Sequence, residues 1–298
     1  MPKNLGGNKM NEIEEILKYF PSNLYEYIKR SINNNANIIK TIQEIRIRAG
    51  KPIIFKFKSY DIVLKYVVTK EEILEILERL CENSIYAYKN QICQGFLTIR
   101  GGHRIGITGT VVIENGKVIN VKYISSLNFR IAREILNCST GILRQILDIN
   151  NQTIYNTLIV SPPGKGKTTM LRDVVRQISN GINEYKFRGM TVGLIDERGE
   201  IAAAYKGIAQ NDVGIRTDII GNIDKSSGIE ILIRTMTPEV IACDEIGTIE
   251  DVKAIKRCMI SGVKGIFTMH GKSLEDIKRN VGINELIETK QIEKIIFI

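Results

Sequence analysis

The 298-residue sequence has no tryptophan, only two histidines (His103 and His270) and no C-x-x-C pair. Its five cysteines are odd in number and widely spaced, so neither a disulfide framework nor a zinc site is expected. No run reaches the roughly eighteen apolar residues of a membrane span, and the N-terminal segment lacks the apolar core of a signal peptide. We therefore expect a cytosolic protein, able to rest on a membrane without entering it.

The overall composition excludes several classes of protein. Apolar residues make up 43% and charged residues 25%, which is typical of soluble globular chains and excludes disordered, collagen-like and coiled-coil sequences. Lys and Arg number 42 against 33 for Asp and Glu, a net charge of +9. Such an excess favours acidic partners: nucleotides, nucleic acid or an anionic membrane face. A solvated basic surface explains the same excess, so charge alone does not choose between them.

The front of the chain reads as one α+β domain, residues 1–137. The alternation in Glu44-Ile45-Arg46-Ile47-Arg48 predicts a half-buried strand, and Thr69 with Glu72 predicts a capping box that opens a helix. Asn115-Gly116 between apolar stretches predicts a β-hairpin. The first ten residues are expected to be loose, and Asn33-Asn34-Asn35 to form a turn.

The rest of the chain alternates between strand and helix patterns. Residues 138–155 are predicted to be a linker with a short helix, and residues 156–298 to be a second domain. Buried strands are expected at 157–160, 193–195, 240–243 and 265–269, with helices from Lys167 and near 250–261 and a long insert before 240. This alternation predicts a parallel sheet covered on both faces, an α/β fold.

The strongest motif is SPPGKGKTT at residues 161–169, where a hydrophobic strand feeds a glycine-bearing loop and then a helix. Glycines let backbone N–H groups point at phosphate oxygens, and the helix N-terminus adds partial positive charge. Lys167 is expected to reach the β and γ phosphates of ATP, and the Thr168 hydroxyl to ligate Mg²⁺. The predicted ATP-binding residues are Ser161, Pro162, Pro163, Gly164, Lys165, Gly166, Lys167, Thr168 and Thr169.

This phosphate loop departs from the strict pattern, because Ser161 stands where the pattern begins with glycine. A bare Gly-Lys-Thr tripeptide also occurs by chance, so its context decides. The context is a second apolar strand that ends in Asp244 and Glu245. Asp244 is predicted to join Thr168 at the metal, and Glu245 to polarise the water that attacks the γ-phosphate. Taken alone, an Asp-Glu pair is more often a solvated loop.

Two further predicted strands end in polar residues. Asp196 and Glu197 follow the strand after the first helix and are candidate metal ligands. His270 follows the strand after Asp244 and is a candidate γ-phosphate sensor; the alternative is a loop histidine with no role. Because parallel strands end at one edge of the sheet, where ligands bind, we expect these groups to lie close together.

Seven segments share a pattern that runs in order along nearly the whole chain. They are EIRIR (44–48), QG (94–95), GGHR (101–104), SSLNFRIAR (125–133), VGIRTD (213–218), LIRTMTPEV (232–240) and DEIG (244–247). Together they resemble the stage III sporulation protein AA family of endospore-forming bacteria. That family is similar to the hexameric ATPases of type II and type IV secretion and pilus systems.

This resemblance implies a RecA-like P-loop NTPase core behind a smaller N-terminal α+β domain. It also implies a hexamer that works with the other stage III sporulation AA–AH proteins at the mother-cell face of the membrane around the forespore. By the same resemblance, Asp196-Glu197 matches the aspartate box of secretion ATPases and His270 their histidine box. Thr248 departs from these relatives, which often place arginine there.

Arginines of the front domain gain a candidate role from the same resemblance. Secretion ATPases use arginines of this domain to neutralise γ-phosphate charge, so Arg104, Arg130 and Arg133, expected on strands, are candidates to complete a neighbouring subunit's site. An arginine supplied in this way accelerates phosphoryl transfer by roughly three to five orders of magnitude. Surface charge or a structural ion pair is the alternative for each.

The favoured function is a motor-type ATPase that powers a sporulation membrane complex. One rival is a nucleic-acid-binding ATPase of RecA type, but no basic run is interleaved with aromatic residues and no tryptophan offers a stacking platform. A second rival is a nucleotide-binding scaffold without hydrolysis, against which Glu245 argues. The sequence leaves nucleic acid as an unfavoured partner and peripheral membrane association as an open one.

Overall fold

The computed structural model describes residues 9–33 and 41–298, and the chain divides into two compact units, residues 1–133 and 134–298. Residues 1–8 of the predicted loose start, and Asn34 and Asn35 of the predicted turn, lie outside the described residues. The predicted domain boundaries at 137 and 155 stay a prediction, because compactness does not test independent folding.

The first unit is built on a six-stranded antiparallel sheet in the order β3-β2-β1-β6-β5-β4. Its elements are α1 (Lys9–Leu17), α2 (Ser22–Asn33), β1 (Glu44–Arg48), β2 (Pro52–Lys56), β3 (Asp61–Val67), α3 (Lys70–Leu80), α4 (Lys89–Cys93), β4 (Phe96–Thr98), β5 (Arg104–Glu114) and β6 (Lys117–Arg130).

Two local predictions for this unit are confirmed. The Thr69 hydroxyl accepts from the Glu72 backbone N–H at 3.1 Å, and the Glu72 carboxylate accepts from the Thr69 N–H at 2.8 Å, which closes the capping box of α3. Asn115 and Gly116 have φ of +49° and +74°, the left-handed conformation that a tight hairpin turn between β5 and β6 requires.

The second unit is built on a six-stranded parallel sheet in the order β11-β10-β12-β13-β9-β14. Its elements are α5 (Thr140–Ile146), β7 (Leu147–Asp148), β8 (Thr153–Ile154), β9 (Thr157–Ser161), α6 (Lys167–Asn180), β10 (Val192–Asp196), β11 (Thr217–Gly221), α7 (Lys225–Met236), β12 (Val240–Cys243), α8 (Ile249–Ile260), β13 (Lys264–His270), α9 (Leu274–Lys278), α10 (Val281–Glu288) and β14 (Lys294–Phe297).

Both faces of this parallel sheet are covered, as predicted. Side chains alternate along β9, so that Leu158 and Val160 lie in one apolar cluster and Ile159 in the other. The four residues of β12 are all buried and divide between the same two clusters. The α/β fold class is therefore confirmed. Among the described residues, no helix is both long enough and apolar enough to cross a membrane.

Four parts of the fold differ from the sequence interpretation. The long insert before residue 240 contains a strand and a helix, β11 and α7, and the C-terminal residues add β14 as an edge strand. The predicted linker holds the short helix expected there, α5, and also the small β7-β8 hairpin, which was not predicted. Arg133 was expected on a strand, but β6 ends at Arg130 and Arg133 lies in the irregular segment that follows.

Strand order determines which side chains meet at the edge of the sheet. β13 lies between β9 and β12, and its last residue, His270, is the register partner of Ser161, the last residue of β9. On the other side of β13, Phe267 pairs with Cys243, so the chain beyond Cys243 continues past the end of the paired strand toward the level of His270. The sheet thus places the ends of β9, β12 and β13 side by side.

Candidate active site

The phosphate loop between β9 and α6 faces solvent. Residues 163–166 are exposed, and Gly164 and Gly166 have φ of +74° and +90°, a conformation that residues with a Cβ rarely adopt. Among the described residues, and apart from the two chain neighbours, none places an atom within 4 Å of where a Cβ would sit on either glycine. The open loop and the helix N-terminus behind it therefore fit an anionic phosphate chain.

Lys167, the first residue of α6, reaches back toward the strand ends. Its Nζ donates to the carbonyl oxygens of Ser161 at 3.2 Å and Pro162 at 3.4 Å, and lies 2.7 Å from Nδ1 of His270. Burial lowers the pKa of Lys167, and the carboxylates of Asp244 and Glu245 oppose that shift only in part. Lys167 is thus held where a phosphate can exchange for its present partners.

His270 links this lysine to the predicted catalytic base. Because the Lys167 ammonium can only donate, Nδ1 of His270 is the acceptor, and the hydrogen-bond pattern assigns the proton of the neutral ring to Nε2. Nε2 then donates to Oε1 of Glu245 at 2.9 Å. The predicted sensor and the predicted base are therefore in direct contact.

Glu245 adopts an unusual backbone conformation at the end of β12. Its φ is +50°, in the left-handed region that non-glycine residues seldom occupy, and its N–H donates to the Thr268 hydroxyl at 2.9 Å. Its second carboxylate oxygen, Oε2, accepts from Arg198 at 3.1 Å. Backbone strain of this kind concentrates at functional sites, where the surrounding structure holds it in place.

Thr168 and Asp244, two of the four predicted metal ligands, lie against each other. The Thr168 hydroxyl donates to one oxygen of Asp244 and the Thr268 hydroxyl donates to the other. Hydroxyl and carboxylate oxygens are the hard donors that Mg²⁺ takes. Over residues 9–33 and 41–298 there is no cluster of three or more His, Cys, Asp or Glu suited to a metal. A hydroxyl beside a carboxylate fits Mg²⁺, which usually keeps waters and substrate phosphates in the rest of its shell.

Asp196 and Glu197 lie at the same edge but are engaged differently. Asp196 is 3% exposed, and its carboxylate accepts from the backbone N–H groups of residues 200, 201 and 202 at 2.8, 3.0 and 2.9 Å. Burial raises the pKa of Asp196, and these N–H groups oppose the rise. Glu197 pairs with Lys225, the first residue of α7. A metal role for either acid stays a prediction.

Several residues of this site were not found by sequence reasoning. Arg172 of α6 donates to the carbonyl oxygens of Ile201 and Glu200 at 2.6 Å each, and Arg198, Lys225 and Thr268 make the contacts given above. Arg198 directly follows the Asp196-Glu197 pair, and Thr268 precedes His270 by two residues on the same strand. Closeness in sequence to predicted site residues was therefore the signal that could have identified Arg198 and Thr268.

The three candidate arginines lie in the first unit. Arg104 and Arg130 are register partners on β5 and β6, and the Arg104 guanidinium stacks 3.7 Å above the centre of the Phe96 ring. Arg133 donates to the carbonyl oxygen of Ile42 at 2.6 Å. On its other side Arg130 is the register partner of Glu44 on β1, so an opposite charge lies next to the Arg104–Arg130 pair.

The parallel sheet, the phosphate loop after β9 and the carboxylates after β12, one strand further along the sheet than β13, together define a RecA-like P-loop NTPase core. The chain belongs to the sporulation stage III, protein AA family, whose model matches residues 9–298. It is 36% identical over 286 residues to stage III sporulation protein AA of Bacillus subtilis strain 168, covering 96% of this chain and 89% of that protein.

Solved structures share the architecture at much lower identity. The Legionella pneumophila ATPase DotB superposes with a TM-score of 0.57 at 14% identity, covering 89% of this chain and 73% of that one. The ADP-bound pilus retraction motor PilT gives a TM-score of 0.58 at 15% identity, covering 86% of this chain and 72% of that one. At such identities the likeness shows the fold alone.

Proposed function

We propose that this protein binds ATP with Mg²⁺ at the edge of the parallel sheet and hydrolyses it. One observation carries the proposal: Lys167, His270 and Glu245 form a continuous hydrogen-bonded chain beside the contact of Thr168 with Asp244. Each of these side chains has a separate task in phosphoryl transfer, and the fold brings them from three strand ends to one place.

Binding uses the loop and the lysine. The backbone N–H groups of residues 164–169 surround the phosphates, and Lys167 exchanges the Ser161 and Pro162 carbonyls and His270 for phosphate oxygens. Thr168 and Asp244 hold the magnesium ion, which neutralises phosphate charge. When Lys167 moves to the phosphates, Nδ1 of His270 loses its donor, so His270 registers the occupied site.

Hydrolysis uses Glu245. Its carboxylate orients a water and accepts a proton from it as the water attacks the γ-phosphorus, and His270 steadies the same carboxylate through Oε1. Asp196 holds the loop beside this edge, and Glu197 keeps Lys225 in place. We keep direct metal contact by Asp196 or Glu197 as a weaker proposal, because both carboxylates already have protein partners.

At the cellular level we propose a motor that powers a membrane complex in sporulation. The family membership supports the process, and the shared fold with DotB and a pilus retraction motor supports the motor type. We further propose a homo-hexamer on the mother-cell side of the forespore membrane, working with the other stage III sporulation AA–AH proteins. In that assembly Arg104, Arg130 or Arg133 completes the ATP site of a neighbouring subunit.

The direct test is Mg-ATP turnover by the purified protein, with Lys167→Ala as the matched control and with single-stranded DNA present or absent. We expect turnover by the wild type, background rates for Lys167→Ala and no response to DNA. Stimulation by DNA of about tenfold or more would instead favour a nucleic-acid-binding ATPase. ATP binding without turnover would favour a scaffold.

A further inference from the structure

The carboxylate of Glu245 is held from two sides, and the proposed mechanism uses one of them. His270 Nε2 lies 2.9 Å from Oε1, while a terminal nitrogen of Arg198 lies 3.1 Å from Oε2. A carboxylate has about four lone-pair positions, so each oxygen that accepts one of these bonds can still accept from a water. Because both of its oxygens are held, the Glu245 carboxylate cannot rotate freely about its Cγ–Cδ bond.

Arg198 projects from a loop that is fixed to the body of the second unit. Asp196 accepts from the N–H groups of residues 200, 201 and 202, and the Gly199 N–H donates to the Asp196 carbonyl at 3.2 Å. Arg172 of α6 donates to the carbonyl oxygens of Glu200 and Ile201, both at 2.6 Å. The loop that presents Arg198 is therefore anchored to the end of β10 and to the phosphate-loop helix.

The start of this loop has a further attachment. Glu197 pairs with Lys225, whose side chain is only 12% exposed. Asp196, Glu197, Arg198, Lys225, Asp244 and Glu245 line one pocket at the ends of β10 and β12. Arg198 thus reaches Glu245 across this pocket from a loop that the Asp196 and Glu197 contacts fix in place.

We propose that Arg198 is a positioning residue that orients the Glu245 carboxylate for hydrolysis. The inference rests on the proposed ATPase function. In the step it serves, an O–H bond of water breaks, the proton passes to Glu245, the water oxygen bonds to the γ-phosphorus and the bridging P–O bond breaks toward ADP. Arg198 touches none of these atoms and acts through the carboxylate.

Its effect belongs to turnover rather than to folding. The Arg198 side chain is 65% exposed and that of Glu245 32%, and exposed ion pairs contribute little to stability. Misplacing a reacting group by about 1 Å can slow catalysis by about a hundredfold. Removing one of the two contacts on Glu245 should therefore lower kcat clearly while the protein stays folded.

The experiment compares Arg198→Ala and Arg198→Lys with the wild type, and Arg257→Ala as the matched control. Arg257 is 62% exposed and pairs with Glu230, a similar surface ion pair between two helices. We expect Arg198→Ala to lower kcat about tenfold with KM for ATP within twofold. Arg198→Lys should recover kcat to within about threefold of the wild type. The control, Arg257→Ala, should have the same kcat as the wild type.

A kcat for Arg198→Ala within twofold of the wild type would overturn the inference. A higher kcat would do so as well, since it would make Arg198 a brake. A parallel change in kcat and KM for Arg198→Ala would also overturn the inference. So would an Arg198→Lys variant whose kcat is no higher than that of Arg198→Ala.

A second readout separates this inference from the proposed function. The chain has two histidines, so ring ¹⁵N NMR of His270 is readily assigned with a His103→Gln variant. Because His270 and Arg198 share the Glu245 carboxylate, Arg198→Ala should shift the His270 Nε2 signal and Arg257→Ala should not. An unchanged signal overturns the positioning role. A wild type that binds ATP without turnover overturns the proposed function, and the His270 signal then still decides whether Arg198 orients Glu245.

Discussion

Polar side chains near the strand ends stay apart in the first unit but meet in the second. In the first unit, which has an antiparallel sheet, Arg104 on β5 stacks on Phe96, and Arg133, in the segment after β6, binds the backbone carbonyl of Ile42. In the parallel sheet of the second unit, residues from β9, β12 and β13 meet in one hydrogen-bonded set. Parallel strands end at one edge, whereas antiparallel neighbours end at opposite edges. Topology, more than residue type, decides where a site can form.

The two histidines show the same contrast on a smaller scale. His103, in the first unit, is 2% exposed, and its Nδ1 accepts from the Ala132 N–H at 3.1 Å. His270, in the second, has a 43% exposed side chain between Lys167 and Glu245. Burial holds the His103 ring neutral inside a core, whereas the His270 ring lies between a lysine and a carboxylate at the strand ends.

The largest expected difference between the two units comes from replacing one glutamate in each and comparing turnover. We expect Glu245→Gln to lower turnover by roughly two to four orders of magnitude, because the amide cannot accept the proton of the attacking water. Mg-ATP affinity should stay within a few-fold. The control is Glu44→Gln, since Glu44 accepts from Arg46 at 2.6 Å within the first sheet. Equal turnover in the two variants would contradict the assignment of the base.

The neighbouring strand ends of the second unit offer a finer test. Asp196→Ala leaves three N–H groups, two of them buried, without their acceptor, so we expect the free energy of unfolding to fall by about 3 kcal/mol. Asp244→Ala should cost less than about 1 kcal/mol and instead weaken the dependence of ATP binding on Mg²⁺. Urea titration and nucleotide binding at several Mg²⁺ concentrations measure both. A loss of Mg²⁺ dependence in Asp196→Ala would make Asp196 the ligand.

The pH dependence of stability tests the buried histidine of the first unit. Burial lowers the pKa of His103 from its ordinary 6.5 to about 4, so the folded state favours the neutral ring. The resulting stability is present above pH 6.5 and is lost as pH falls toward 4, about 3 kcal/mol in all. Unfolding in urea at pH 7, 5.5 and 4 should show this loss, and His103→Gln should lack it. An identical pH slope in both proteins would refute the neutral buried ring.

The test that would break the comparison concerns the arginines of the first unit. If Arg104, Arg130 or Arg133 serves a neighbouring subunit, turnover per subunit should rise with protein concentration. Removing the acting arginine should slow turnover by up to roughly three to five orders of magnitude with nucleotide affinity nearly unchanged. Mixing that variant with Lys167→Ala should restore some activity, because an intact site then meets an intact arginine.

Turnover independent of concentration, with no rescue on mixing, would leave these arginines as structural or surface charge. The site would then belong to the second unit alone, and the contrast between the two sheets would be complete.

The core strands of the second unit were predictable because each is a short apolar run that ends in a recognisable group. The phosphate loop after β9 and the Asp244-Glu245 pair after β12 predicted the edge at which ligands bind, and His270 was expected there. β11 and α7 were missed because the run from Thr217 to Gly221 is half-buried at the edge of the sheet and carries no strong alternation.

The contacts that hold the site together could not be predicted from local pattern. Asp196 and Asp244 both follow buried strands in Asp-Glu pairs, yet one binds the N–H groups of its own loop and the other binds Thr168. Arg172 and Arg198 acquire their partners only when the loop that follows Asp196 has folded against the rest of the second unit. Strand register, which sets His270 beside Ser161, is likewise a property of the assembled sheet.

The most direct test of the central claim is the stabilisation of the folded protein by Mg-ATP. Nucleotide at about one hundred times its dissociation constant should stabilise the wild type by about 2.7 kcal/mol, seen as a raised melting temperature. Lys167→Ala should show no such shift, because its phosphate loop lacks the cation that joins the phosphates to the strand ends. The same nucleotide-dependent shift in Lys167→Ala would contradict the account.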